Sequence, residues 1–341
     1  MALHQSTVNP FDLVDRTDEL LLIPQNPTLM NDLGIWREDF LSTRTVTFEE
    51  RNGHLFLLKD MIDGSKPQTT GNDVRKLHSY PMAHFPYIDA LYPQDIAGIS
   101  RPGGNNTQLD TEERALVVKL ERYRKSVDRT LNFARFRTLA AGDIWAPNGT
   151  IAGNFYADFG LTRKTVSFAL ATPTTDIMGK CEEIIQSFHE QATEGQTINR
   201  VTAYCSGGFF SALINHPKVQ NAYNLYAAVA PQQISRDRAG GMALRRHFVF
   251  SNIEFIEVLD SVSGTPLVDV NTAVFIANDG DDSFVTAYGP PQRFGYINTT
   301  AESAYLWTRK KDDNTEITIE GQTNFINMLR RPGLVAGGTT A

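Results

Sequence analysis

Residues 110–142 read DTEERALVVKLERYRKSVDRTLNFARFRTLAAG. Asp110, with Glu113 three positions on, has the form of an acidic N-cap and a carboxylate that reaches back to it. Gly142, followed by Pro147, marks the far end. Between them Leu116, Leu120, Tyr123, Val127, Leu131 and Ala134 recur at spacings of three and four, one apolar stripe on a helical period. The other faces carry Lys119, Arg122, Arg124, Lys125, Arg129, Arg135 and Arg137, interleaved with Glu112, Glu113, Glu121 and Asp128. Such interleaving permits i,i+4 pairs such as Glu121 with Lys125, so these faces read as solvated and internally paired rather than as a phosphate-binding stripe. At about 1.5 Å per residue a helix of this length spans about 45–50 Å, more than one compact domain core requires. A helix of that reach organises an extended molecule.

Toward the N-terminus the pattern is weaker. Residues 1–35 set Pro10, Pro24 and Pro27 between apolar patches at 20–23 and 29–30. They read as an extended arm that must lay its Leu and Ile side chains and Trp36 on an apolar surface, its own or a neighbour's. Thr43, Thr45, Thr47 and Glu49 then alternate with Val46 and Phe48, and Asn52-Gly53 is the dipeptide of a two-residue type I′ turn before 54–58 returns, so a hairpin is expected here. Residues 60–86 hold the turn formers Asp63-Gly64, Lys66-Pro67 and Gly71-Asn72 and read as a long protruding loop, with 74–80 able to pair back as a polar strand. Arg101-Pro102-Gly103-Gly104 leads into the helix.

Beyond the helix, Asn148-Gly149, the run 156–160 and the alternating 165–170 read as turns and strands beside it. Residues 174–195 form a second amphipathic helix, with Asp176 near its start and Ile177, Cys181, Ile184, Ile185 and Phe188 on its inner stripe. From 198 to 298 the texture is α/β: a strand at 198–204, a helix at 206–215, a helical stretch at 219–227, and strands at 248–250, 253–258 and 272–276. A strand at 304–308, a turn at 310–314 and a strand at 316–320 then suggest that the chain leaves one domain and comes back to it.

Composition bounds the function. The 341 residues, 41% of them hydrophobic, suffice for one large domain or two to three smaller ones with real cores. A net charge of −7 does not write nucleic-acid binding into the bulk charge, so protein partners are expected. Cys181 and Cys205 are the only cysteines, too few for a disulfide framework and not clustered with histidine for zinc, which fits a reducing, intracellular origin. Residues 1–10 lack an apolar signal core and no run approaches the ~18–20 apolar residues of a membrane span, so a soluble chain without a removed leader is expected.

Candidate chemistry is sparse. Tyr204-Cys205-Ser206-Gly207-Gly208 falls at a strand-to-helix turn, the geometry that exposes a nucleophile, and a Cys205-dependent hydrolase is the alternative function it allows. The Gly-x-Ser-x-Gly signature is missing, His189, His216 and His247 have no recognisable base context, and Ser206 has an ordinary role as N-cap. Asp279, Asp281 and Asp282 with Ser283 make an acidic turn without the spacing of a calcium loop. Gly240-Gly241 belongs to no phosphate-binding fingerprint, and no His-Glu-x-x-His occurs. No catalytic, cofactor-binding or metal-ligating residue is expected, and no enzyme activity.

The order of these parts, an arm, a hairpin, a long loop, a spine-like helix, an inserted α/β region and a returning strand, resembles the major capsid proteins of tailed phages with the Hong Kong 97 fold, and within them the phage lambda major capsid protein E family. The resemblance is carried by Phe11-Asp-Leu13, by Leu33-Gly-Ile35 through Thr43-Arg-Thr-Val-Thr-Phe48, by the helix with its Arg-rich end, and by Asn154-Phe-Tyr-Ala-Asp-Phe-Gly160. It continues through Phe294-Gly-Tyr-Ile-Asn298, Ala304-Tyr-Leu-Trp307, the polar Gln322–Asn324 and Arg330-Arg331-Pro332-Gly-Leu-Val335, and so spans nearly the whole chain. It implies an α+β capsid fold: an N-terminal arm at 1–42, a peripheral-domain hairpin at 43–59, an extended E-loop at 60–86 and a peripheral domain at 87–173 with its spine helix at 110–142. An axial domain at 174–295 and a return to the peripheral domain at 296–341 complete it. It further implies self-assembly as hexamers and pentamers into an icosahedral shell around double-stranded DNA touched non-specifically on the inner face, with separate scaffolding, portal and possible decoration partners, in the virion and, during assembly, the host cytoplasm. A Lys–Asn crosslink used by some relatives is not required, and nothing marks Lys59, Lys66 or Lys76 as reactive.

Overall fold

The computed structural model describes residues 13–25, 28–32, 34–51, 75–97, 111–145, 151–192, 198, 200–227, 235–239, 243–262, 264–278 and 283–341. The Asn52-Gly53 turn, the returning 54–58, most of the 60–86 loop, Asn148-Gly149, Gly240-Gly241 and Asp279–Asp282 lie outside the described residues.

The long helix runs Glu112–Ala141. Its N-cap is Thr111, whose side chain accepts from the Arg114 N–H at 3.4 Å, so the cap falls one residue later than the acidic pair suggests. Gly142 closes it in the left-handed region at φ +73°, its N–H bonded to Thr138 O at 2.8 Å. A Cβ there would lie 2.6 Å from the Tyr156 ring, so only glycine serves both the turn and the contact. All six stripe residues are buried.

The helix lies on a six-stranded sheet whose hub is the strand Ile317–Leu329. Residues 317–322 of the hub pair antiparallel with Tyr305–Lys310, and 325–329 pair with Phe284–Tyr288. Its other edge, 317–325, pairs with Ala83–Leu91. Val14–Asp15 and Arg37–Phe40 complete the two ends. Leu116, Leu120 and Tyr123 of the helix meet Leu306 and Ile319 of the sheet, and Tyr123 reaches the backbone at Gly321, where a Cβ would sit 2.5 Å from the ring.

A seven-stranded sheet follows the order Ser235–Ala239, Ala243–Phe250, Ile253–Glu257, Arg200–Cys205, Thr272–Asn278, Val335–Thr339, Thr165–Ser167. Alternation along its central strands divides two cores. Ala203, Cys205, Ala273, Phe275 and Ala277 face the core that also holds residues of the helices Ile177–Gln191 and Gly207–Asn215. Tyr204, Val274 and Ile276 face a second core with Phe136 and Leu139 from the end of the long helix and Val285, Ile326 and Leu329 from the other sheet. That shared core joins the two halves.

Several sequence expectations change. Residues 14–40 are not an extended arm: they form the helices Thr17–Leu22 and Leu29–Asp32 and two sheet strands, and Leu20, Leu29, Met30 and Trp36 are buried in the chain's own cores. The described ladder partner of Thr45–Arg51 is Arg75–Pro81, the polar strand, rather than a segment returning directly from Asn52-Gly53. Phe155–Asp158 is a helical turn, not a strand, because Asn154 caps it by accepting from Tyr156 N–H at 3.0 Å. Two strands sit in sheets other than those the domain reading implies: Phe284–Tyr288 belongs with the long helix, and Val335–Thr339 inserts into the seven-stranded sheet after a short turn at Pro332–Leu334. Finally, Arg124 and Arg135 do not face solvent but are buried.

Candidate assembly surface

The strand-to-helix turn at 204–208 exists as expected, but it is not a catalytic elbow. Ser206 caps the helix by accepting from Phe209 N–H at 3.4 Å, and Cys205 is fully buried with its Sγ aimed at Ala203 O. Burial holds the Cys205 thiol well above its ordinary pKa and pushes Cys181 up to about 12, so neither supplies a thiolate near neutrality. His216 is buried, its Nε2 bonded to Thr172 O at 2.9 Å and its Nδ1 accepting from Lys218 N–H, while His247 pairs with Glu254 at 2.6 Å. Neither reaches Cys205 in these pairings, and the Cys205 hydrolase reading fails on burial. Among the described residues no group of three His, Cys, Asp or Glu could hold a metal, and no helix is long and apolar enough to cross a membrane.

Two cations of the long helix, Arg124 and Arg135, turn inward, while Arg122, Lys125 and Arg129 stay exposed. Arg124 pairs with Asp128 at 3.6 Å, both buried. Arg135, only 2% exposed, donates through Nε to Thr286 Oγ1 at 3.0 Å and through its terminal nitrogen to Glu38 at 2.7 Å, and lies 5.6 Å from the centre of the Trp36 ring. The Thr286 hydroxyl donates to Asn327 Oδ1 at 2.9 Å, and Asn132 Oδ1 accepts from Met30 N–H at 3.0 Å. Arg137 pairs with Asp143 at 2.9 Å. Of these side chains Arg135 ties the helix to the six-stranded sheet and Asn132 ties it to Leu29–Asp32, whereas the Arg124 and Arg137 pairs are local. Their signal was present in the sequence: Arg124, Asp128 and Arg135 follow the same helical period as the apolar stripe beside them.

The opposite face of the six-stranded sheet carries a built loop at 289–303. Pro290 and Pro291 are buried, and Asn324 Nδ2 donates to Gly289 O and Pro290 O at 3.4 and 3.2 Å. Arg293 stacks 4.0 Å from the Trp307 ring centre and pairs with Glu320. Tyr296 stands edge-on to Tyr305 and Trp307, and its hydroxyl donates to Asp15. Gly295 and Asn298 take positive φ, +95° and +61°, which turns the chain twice. Between these anchors Phe294 is left 95% exposed and Ile297 65%. Exposed apolar side chains on a rigid base mark a contact surface.

Near the far end of the same strands lies a cleft of about 290 Å³. Leu91, Ile96 and Ile317 line it, with Glu112 and Lys310, 3.5 Å apart, on its rim. Among the described residues the adjoining strand Ala83–Leu91 pairs on one side only. Pro86 lacks an edge N–H, and Lys119 Nζ occupies Ala90 O at 2.7 Å while pairing with Asp89 at 2.9 Å. Burial raises the Asp89 pKa, but the Lys119 and Ala90 N–H hydrogen bonds outweigh it and hold the carboxyl below its ordinary value. Proline and a lysine plug are the devices that stop an edge from adding strands indiscriminately.

The family profile described as Phage major capsid protein E matches residues 14–340. The chain is 35% identical to the major capsid protein of Pseudomonas phage KPP10, over 98% of this chain and 99% of that one. It is 28% identical to the major capsid protein of Salmonella phage Felix O1, over 98% and 97%. Among solved structures, the capsid of cyanophage P-SCSP1u shares its fold at a TM-score of 0.54 and 10% identity, covering 93% of this chain and 89% of that one. The capsid of Ralstonia phage GP4 does so at a TM-score of 0.50 and 11% identity, covering 96% and 93%. The two sheets and the long helix are thus the parts of a shell subunit, and the chain belongs to the phage major capsid protein E family, the major capsid proteins of tailed phages.

Proposed function

We propose that the subunits assemble as hexamers and pentamers of an icosahedral shell, with a division of labour that follows the two sheets. The long helix and the six-stranded sheet form the peripheral body. The seven-stranded sheet with its helices forms the axial body around the five- and six-fold axes, now drawn at about 165–278 plus the returning 335–339 rather than 174–295. The ladder of 45–51 with 75–81 and the residues between its strands act as an E-loop over a neighbouring subunit, in place of 60–86, whose last residues 83–86 pair within the six-stranded sheet; the N-terminal residues act as an arm. Non-specific contact with packaged double-stranded DNA, separate scaffolding, portal and decoration partners, and assembly in the host cytoplasm belong to the same reading. The chain performs no catalysis.

The observation that supports the E-loop assignment is the ladder Thr45–Arg51 with Arg75–Pro81, a two-stranded sheet that among the described residues pairs with neither larger sheet. An arm built this way gains stability by lying on another chain. Deletion of residues 64–71 tests it. The expected product is a folded, soluble subunit with unchanged Tm that forms no particles by light scattering after size exclusion or by negative-stain microscopy. Normal particles from that deletion would overturn the assignment.

A further inference from the structure

We propose that Phe294 is a knob that docks into the cleft between Tyr92 and Ile317 of a second copy of this chain. The knob is rigid rather than frayed. Buried prolines precede it, Arg293 is held between Trp307 and Glu320, and Tyr296 N–H closes back on Arg293 O at 3.2 Å. Thr299 bonds Tyr296 O through both its N–H and its hydroxyl, and Ala301 N–H reaches Leu41 O at 3.0 Å. Holding an aromatic ring 95% in solvent on such a base gains nothing within one subunit. Buried in a partner, it is the kind of anchor that dominates interface energy, an aromatic side chain delivered without ordering cost.

The cleft fits a side chain. Its volume, about 290 Å³, admits an aromatic ring, and its inner wall is apolar at Leu91, Ile96 and Ile317. Charge does not oppose the union: Arg293 beside the knob is paired with Glu320, and Lys310 on the rim with Glu112. The exposure of Phe294 shows that a subunit does not fill the cleft with its own knob. Trp307 and Glu320 anchor the knob, and Lys310 and Ile317, three residues along the same two strands, border the cleft. Knob and socket therefore lie at different places on one sheet, so their union between copies can run head to tail, the arrangement that repeats into rings and closed shells. The occupant is a second copy because the chain belongs to a family of shell subunits.

The test uses the full chain with its head-assembly partners. Chains carrying Gln292→Cys and chains carrying Asn314→Cys, both exposed positions, are co-assembled and treated with a short bismaleimide. Cys181 and Cys205 are buried and stay silent. A dimer band that appears in mixed particles and not in particles of either variant alone is the expected result, and mixed particles without it overturn the pairing. In parallel, Phe294→Ser is expected to keep the subunit Tm within about 1 °C and to raise the concentration needed for assembly at least tenfold, with Phe294→Trp restoring it. Assembly of Phe294→Ser at the unchanged concentration, or a lowered subunit Tm, would show that the ring works elsewhere than at a subunit contact.

Discussion

Beneath the seven-stranded sheet the space is filled by Phe168, Phe188, Phe209, Phe210, Phe255 and Phe275, with Cys181 and Cys205 behaving as small apolar groups. Beneath the six-stranded sheet the apolar clusters are threaded by a polar seam: Arg124 with Asp128, Arg135 with Glu38 and Thr286, and Asn132, Asn324 and Asn327 bonded across elements. The first core is held by area and shape, which are non-directional and tolerate repacking. The second is held by bonds with fixed donors and acceptors, so the helix has one seat on its sheet. A subunit that must present its spine in a single orientation to many neighbours gains from that restriction. The gain has a cost, since a half-broken polar seam is worse than none.

Breaking the seam at Arg135 should give the largest effect. Arg135→Met removes the partner of Glu38 and Thr286 in a buried place, with an expected loss of about 3–5 kcal/mol in denaturant unfolding. Phe275→Leu in the dry core is expected to cost about 1–1.5 kcal/mol by the same measurement, and equal losses would erase the contrast. A middle effect is expected where helix and sheet touch without polar help. Gly321→Val drives a side chain into the Tyr123 ring and should lower stability by about 1–3 kcal/mol. The smallest effect is in alkali. The Cys181 thiol is raised by burial from 9.0 to about 12, so its protonated form is favoured by folding; that contribution is whole below about pH 9 and is lost as pH rises toward 12. Tm measured from pH 8 to 11 should therefore fall less steeply in Cys181→Ala than in the unaltered chain, and parallel curves would remove the thiol from the account.

The dry half was the more legible in the sequence because its signals are local. Ile177, Cys181, Ile184 and Phe188 announce a helix by spacing alone, and Ser206 and Gly207 mark the next start. The other half is assembled from strands drawn from position 14 to position 329, and pairing over such distances leaves no periodic trace. The hub strand is legible only to Glu320, since Thr323, Asn324 and Asn327 look like a loop until the bonds they make are seen. Phe294 and Ile297 were visible as a motif, but their exposure was not: an aromatic residue in a loop is more often buried, and only the two positive-φ turns point these outward. The turn at Cys205 was read correctly as geometry, and burial decided its chemistry.

The chain passes from the centre of the six-stranded sheet, Ile317–Leu329, through the short turn at Pro332–Leu334 into an inner strand of the seven-stranded sheet, Val335–Thr339, although both sheets recruit strands from far earlier in the chain. Neither sheet can close before this one stretch is in place. A chain interrupted ahead of it would lack the middle of one sheet and a bridging strand of the other, and would not offer neighbours a finished surface. The stretch thus works as a checkpoint: incomplete chains are kept out of the shell by their own topology, without any dedicated factor to sort them.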